Sequence, residues 1–285
     1  MSKIVIIISS VVVLLFILLL LVPFIANKLF NQQVTEEVKE LLTYNVEADG
    51  EVVQTKDVKE LPACVQKWLD YSGVIGREKI TSVRLKQDAV MRLEKEKSWM
   101  PVKAEQYFTT ANPGFIWKAR IKAAPLFHIA GRDKYYKGKG NMLIKLMSII
   151  TIADSKGEEM DQGTMLRFLA ESVWFPTFAL SDYLKWEEID ASTAKATMSY
   201  GGITSFGIFK YNNKGEVVNF TADRYREDDG KYSLAKWSID MRDYKEFNGV
   251  KIPTRGEVTW KLDDGDFTWF KFEIKDINYN KPVVY

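Results

Sequence analysis

Cysteine and histidine are almost missing from this sequence: Cys64 and His128 stand alone in 285 residues. A single Cys excludes an intrachain disulfide, and the pair together cannot supply a Cys/His zinc cluster or a CxxCH haem attachment. Charge of one sign is also lacking. Forty Lys and Arg face 38 Asp and Glu, a formal net charge of +2. That balance leaves no basic field for nucleic acid and no acidic tail. No GxxxxGK[ST] or GxGxxG run occurs, so nucleotide binding has no support, and no motif calls for a cofactor or a metal. No GxSxG elbow accompanies His128, which stands in the strand-like run Leu126-Phe127-His128-Ile129-Ala130 and reads as a strand histidine with ordinary hydrogen bonds.

What is present begins with one long apolar run. Residues 4–26 hold 20 apolar side chains in 23, interrupted only by Ser9, Ser10 and Pro23, with no charge. A helix of that length crosses a hydrocarbon core of roughly 30 Å, for which about 20 residues suffice. A cleaved signal peptide has a shorter apolar stretch, and a cut after Ala26 would place the bulky Phe24 at the −3 position. The expectation is therefore an uncleaved single-pass transmembrane helix. Lys3 before the run and Lys28 and Lys39 after it barely separate the two orientations. The very short leading tail fits a signal anchor, with the C-terminal part extracytoplasmic at the cell membrane.

Beyond the run, residues 27–56 read as a stalk and linker, with Val34, Val38, Leu41 and Leu42 at helical spacing and a polar stretch at 45–51. Leu61-Pro62 opens a short helix carrying Cys64 and Trp68 on one face, closed by Gly73. The sparse cysteine reads as a small buried hydrophobe.

From Thr81 the hydrophobic period becomes two. Val83, Leu85, Gln87, Ala89, Met91 and Leu93 share a face, opposite Arg84, Lys86, Asp88, Val90 and Arg92. Further strands are predicted at 102–110, 115–122, 126–136 and 141–150, then at 185–189, 195–200, 203–211, 217–226, 238–244, 250–262 and 267–277. Hairpin signals separate several of them: Asn212-Asn213-Lys214-Gly215, Asn248-Gly249 and Asp263-Asp264-Gly265. The acidic Asp263–Asp266 stretch has a calcium-like composition but the length of a turn. A helix over 161–176, capped by Asp161 or Thr164 and stopped by Pro176, interrupts the strands. The expected class is α+β: a curled antiparallel sheet, or half-open barrel, with a few packed helices and one domain over 57–285.

Chemistry concentrates in few places. Arg167 and Glu171 lie one turn apart on a helix face, and in water such a pair contributes only about 0.2–0.5 kcal/mol. Turned into the concave sheet, they would need further polar partners such as Gln106, Arg120 or Glu105. Sixteen Phe, 13 Tyr and 8 Trp either form plain core or line an apolar pocket with a few polar fixtures.

A set of short motifs carries a resemblance. Leu61-Pro62 through Gly73, Trp99-Met100-Pro101, Ala104-Glu105-Gln106-Tyr107-Phe108, Pro113-Gly114-Phe115-x-Trp117, Asp161-Gln162-Gly163 and Arg167-x-Leu169-x-Glu171-x-x-Trp174-x-Pro176 together resemble a bacterial family of unknown function, many of whose members carry an N-terminal membrane segment. The similarity spans about 61–277 and implies no activity. Asp243-Tyr244, Asn248-Gly249-Val250 and Ile252-Pro253-Thr254, with a last strand ending near Asn278, are similar to the closing hairpin of LolA/LolB-type carriers. That second resemblance implies a half-open barrel over an acyl-chain cavity.

The function expected is a membrane-anchored module binding a lipid-like or other apolar ligand. Trp99, Trp117, Trp174 and Phe175 would line the pocket, and Glu105, Gln106, Arg120, Arg167 and Glu171 would supply its polar contacts. Two other readings remain open. One is an envelope hydrolase using Glu171 with Arg167, its only catalytic pair. The other is an assembly module binding another envelope protein.

Overall fold

The computed structural model describes residues 3–44, 50–228 and 230–285, the side chains of residues 6 and 14–20 excepted. Helix α1 runs from Lys3 to Tyr44. Its second half repeats an apolar side chain every three or four residues, and Phe30, Val34, Val38 and Leu41 are buried as a stripe. They pack on Tyr107, Ile116, Ala130 and Leu143, which stand on the outer face of the sheet. The stretch expected to be a stalk is thus packed on the domain as far as Tyr44, because its apolar stripe meets an apolar patch of sheet. Positions 45–49 of the expected linker lie outside the described residues. The expected transmembrane crossing, residues 4–26, falls in the first half of α1 and runs through the excepted side chains. Among the described residues no helix is long and apolar enough to cross a membrane.

After a 3-10 turn at Thr55–Val58, helix α2 (Ala63–Tyr71) buries Cys64, Val65, Trp68 and Leu69. Thirteen strands follow: β1 Ser82–Met91, β2 Met100–Thr109, β3 Gly114–Lys122, β4 His128–Tyr136, β5 Lys139–Leu146, β6 Ile150–Ser155, and, beyond helix α3 (Glu158–Glu171), β7 Leu184–Asp190, β8 Thr193–Tyr200, β9 Ile203–Tyr211, β10 Val217–Asp228, β11 Lys231–Phe247, β12 Val250–Lys261 and β13 Phe267–Tyr279. They form one sheet, ordered β6-β5-β4-β3-β2-β1-β13-β12-β11-β10-β9-β8-β7, with antiparallel neighbours throughout. The chain winds out from β1 to one edge, crosses the concave side through α3, and winds back from β7 until β13 pairs with β1.

Two details depart from the sequence reading. Ile150–Ser155 is a separate edge strand, which its exposed, non-alternating pattern conceals. Helix α3 starts at Glu158, so Asp161 and Thr164 lie inside it rather than capping it. Asp161 is instead buried, accepting the Gly140 amide at 2.7 Å and the Lys139 ammonium at 2.8 Å.

The sheet curls because α3 touches β4 and β5 on one flank and β9 and β10 on the other. The flanks meet where the β4–β5 and β8–β9 turns cross. A Cβ on Gly138 would stand 2.5 Å from the Gly201 Cα, so two bare glycines allow the approach. Part of the concave side is filled: Phe108, Phe168, Phe175 and Phe178 stack on one another with centroids 4.9–6.2 Å apart, and α2 places Trp68 against Phe209. Full burial of each such ring stabilises the fold by about 1.5–3 kcal/mol. The remainder of the concave side is open.

Candidate ligand cavity and its buried ion network

The open part is a cavity of about 480 Å³ between β1, β3–β5, β10–β13 and α3. Its walls are largely apolar, among them Met91, Trp117, Trp174, Trp237, Val258 and Phe270. Both readings of the aromatics hold, in different parts of one concave face.

Strand register builds the polar end. Gln106 stands opposite Trp117 across β2–β3, and Trp117 opposite Asp133 across β3–β4. Helix α3 lays Arg167 and Glu171 over this row. Arg167 Nε donates to Glu171 Oε1 at 2.9 Å, and Nη1 donates to Asp133 Oδ2. Gln106 Nε2 donates to Glu171 Oε2 at 2.7 Å, Gln87 Nε2 to Gln106 Oε1 at 3.3 Å, and Trp117 Nε1 to Gln87 Oε1 at 3.2 Å. The Arg167 guanidinium also lies 5.0 Å from both the Phe115 and Trp117 ring centres. Burial works against the Arg167 charge, but its two carboxylates more than offset this and hold it protonated. Burial pushes the Glu171 carboxyl above the usual glutamate range, against the pull of Arg167 and the Gln106 amide.

A second guanidinium is held differently. Arg224 donates Nε to the Gly163 carbonyl at 3.1 Å and stacks on Trp237 at 4.8 Å. Among the described residues no carboxylate stands within ion-pair distance of it. Burial, with Arg167 nearby, brings its pKa down to about 10. The indole N–H of the buried Trp237, which lines the same cavity, has no hydrogen-bond partner among the described residues, and neither has that of Trp269.

The fold thus brings Gln106, Trp117, Arg167, Glu171 and Trp174 together and leaves the other expected site residues elsewhere. Glu105 and Arg120 point to the outer face, because strand alternation turns the neighbours of Gln106 and Ala119 outward; Glu105 pairs with Lys118 at 2.9 Å. Trp99 sits in the β1–β2 connection, under the Arg92 guanidinium at 4.7 Å. Phe175 is core, 4.9 Å from Phe108. Gln87, Asp133 and Arg224 went unread as site residues in the sequence, although Gln87 in an apolar face of β1 and Arg224 following Phe220 and Ala222 on one face of β10 were visible signals.

His128, the lone histidine, is buried outside this cavity. Its Nε2 lies 3.2 Å from Ser148 Oγ, and burial, with Arg120 nearby, lowers its pKa. Among the described residues no group of three or more His, Cys, Asp and Glu side chains could hold a metal ion.

Residues 51–272 match the family described as "Family of unknown function (DUF6544)". The chain belongs to this family. That agrees with the motifs between Leu61 and Pro176, most of which lie on α2, β2, β3 and α3. No curated protein matches the chain. Solved structures similar to this DUF6544 member include a LolA superfamily protein from Nitrosomonas europaea, 10% identical with a TM-score of 0.43, covering 75% of this chain and 92% of that one. A DUF1329 family protein from Desulfovibrio piger is 10% identical with a TM-score of 0.44, covering 78% and 94%. The Mycobacterium tuberculosis lipoprotein LppX is 13% identical with a TM-score of 0.29, covering 78% and 96%. The LolA-type similarity read from the closing hairpin is met again among these neighbours.

Proposed function

We propose that this protein binds an amphiphilic, lipid-like ligand in the cavity of its half-barrel, at the cell envelope. One observation carries the reading: a concave cavity of about 480 Å³ with aromatic and methionine walls ends in a few convergent polar groups. Pockets of roughly 300–1,000 Å³ with such linings hold small apolar ligands. The acyl part would lie against Met91, Trp260 and Phe270. Arg224 and the indole N–H of Trp237 would take the carboxylate or another acceptor of the head, since both are donors short of acceptors among the described residues. Arg167 and Glu171 support this end by holding α3 on the sheet.

The proposal includes a tether. The apolar residues 4–26 would anchor the chain in the cell membrane as a single pass, with the β domain on the extracytoplasmic side. In support, Ile4, Ile7, Val12, Phe24 and Ile25 are all exposed on α1 among the described residues.

The test compares the full chain with Gly131→Leu. Gly131 faces the cavity, and a Cβ there meets Trp117 only at 3.6 Å, so a larger side chain enters the empty space. Both proteins are purified in the same detergent, extracted into organic solvent and assayed by mass spectrometry. A roughly stoichiometric amphiphile on the wild type, absent from Gly131→Leu, is the expected result. Equal recovery from both would assign the lipid to α1 and overturn the cavity reading.

A further inference from the structure

Four large apolar side chains are exposed at neighbouring hairpin turns: Leu126 (83% exposed) and Phe127 (55%) between β3 and β4, and Ile149 (41%) before β6 with Ile150 (61%) at its first position. The turns adjoin because β4 pairs with both β3 and β5, and the Met147 amide donates to the His128 carbonyl at 2.9 Å. Turns are usually polar, and a cluster of this kind marks an interaction surface. The turns at the opposite end of the sheet conform to the usual rule, with Asn112-Pro113, Lys137-Gly138, Asn212 to Gly215 and Asn248-Gly249, and so do the charged connections at 92–99 and 263–266 at this end, so the apolar cluster is confined to the two turns beside α1.

The direction of α1 says what this surface meets. Near its C-terminus, the Tyr44 carbonyl accepts from Asn112 Nδ2 at 2.8 Å, at the polar end of the sheet. Seventeen residues earlier, Asn27 Oδ1 accepts from Ser148 Oγ and from Arg120 Nη1, both at 3.4 Å, beside the apolar turns. The helix therefore runs along β2 and β3, and its uncharged residues 4–26 leave the domain next to Leu126, Phe127, Ile149 and Ile150.

The cavity opens at the same strand ends. Leu93 just beyond β1, Ile121 near the end of β3, Ile144 near the end of β5 and Phe267 at the start of β13 all line it there. Alongside Asn27 and Asn31, an outer groove of about 490 Å³ carries Lys86, Lys103, Lys118, Arg120 and Lys275 against only Asp88 and Glu105.

From this juxtaposition we propose that the end of the barrel bearing these turns seats on a bilayer surface rich in anionic lipid. The four apolar tips enter the interface, the cationic groove faces the headgroups, and the cavity mouth opens onto the membrane. The proposal rests on the tether reading for its setting and adds the orientation and the surface. Apolar side chains at the headgroup boundary combined with basic groups are what binding to anionic membranes requires.

The test uses the full chain with Cys64→Ser, reconstituted into phosphatidylethanolamine/phosphatidylglycerol vesicles doped with nitroxide lipids. A fluorophore is placed singly at Phe127→Cys, Ile150→Cys, Asn213→Cys or Val12→Cys, and circular dichroism confirms folding of each. Expected are at least twofold quenching at 127 and 150, strong quenching at 12, and none at 213. Quenching at 12 without quenching at 127 and 150 overturns the docking surface and leaves the tether standing. No quenching at any position overturns both. Protection of 127 and 150 that depends on protein concentration and occurs without lipid overturns the proposal in favour of a second copy of the chain.

Discussion

Arg167 reaches forward one turn of α3 to Glu171 at 2.9 Å while its other arm meets Asp133 on β4, so one guanidinium ties helix to sheet. The pair has little solvent around it and is completed by Gln106. Both carboxylates thus have partners within hydrogen-bond distance, and together they tie α3 to the sheet beside the cavity.

Removing the cation should accordingly cost far more than a surface ion pair. Arg167→Met leaves two carboxylates facing an apolar wall, and loss of about 3–5 kcal/mol is expected by chemical denaturation. Glu171→Gln keeps the shape and leaves Asp133 as counter-charge, for an expected loss of about 1–3 kcal/mol. The double variant should lose less than the sum. Unaltered stability in Arg167→Met would remove the structural role.

Arg224→Gln tests the head-group assignment. The stack on Trp237 and the approach to Gly163 leave this guanidinium without a carboxylate. Titration with a fluorescent fatty acid and its neutral methyl ester should show about tenfold weaker binding of the acid only. Equal weakening of both would mean that Arg224 acts through packing.

Gly138→Ala places a methyl group within 2.5 Å of the Gly201 backbone at a position with φ of +77°, a conformation that side chains other than glycine's rarely adopt. Backbone strain alone costs about 1–3 kcal/mol, and the clash adds to it. A melting temperature unchanged from wild type would show that the two turns do not need each other.

His128 gives the expected pH dependence. Its pKa falls below the ordinary 6.5 on folding, chiefly through burial, so the unfolded chain binds the proton more readily. Its contribution is present above about pH 6.5 and is lost as pH drops towards the lowered folded value. Between pH 7 and 5 the melting temperature should fall less steeply in His128→Gln than in wild type. Identical slopes would contradict the assignment.

Much of the fold is legible in the residue pattern because strand and helix periods depend on neighbours along the chain. The alternation from Val83 to Met91 is a strand with that face inward, and Asn248-Gly249 is the β11–β12 turn. Edge strand β6 is not legible, since neither of its faces is covered enough to impose alternation. The Arg167–Glu171 pair is visible at helical spacing, and Gln106 is among the partners expected for it; Asp133 is not legible, because it joins the pair only through strand register 34 positions away.

Local periodicity and composition were therefore enough to establish an apolar N-terminal run, an antiparallel sheet and a helix carrying an ion pair. Which half of the concave face is filled and which stays hollow depended on how far the sheet curls around α3. That curl also brought Arg224 to Gly163 of α3 and set the cavity mouth beside the departing end of α1. Such outcomes come from packing among segments distant in sequence, whose mutual positions no short-range pattern encodes.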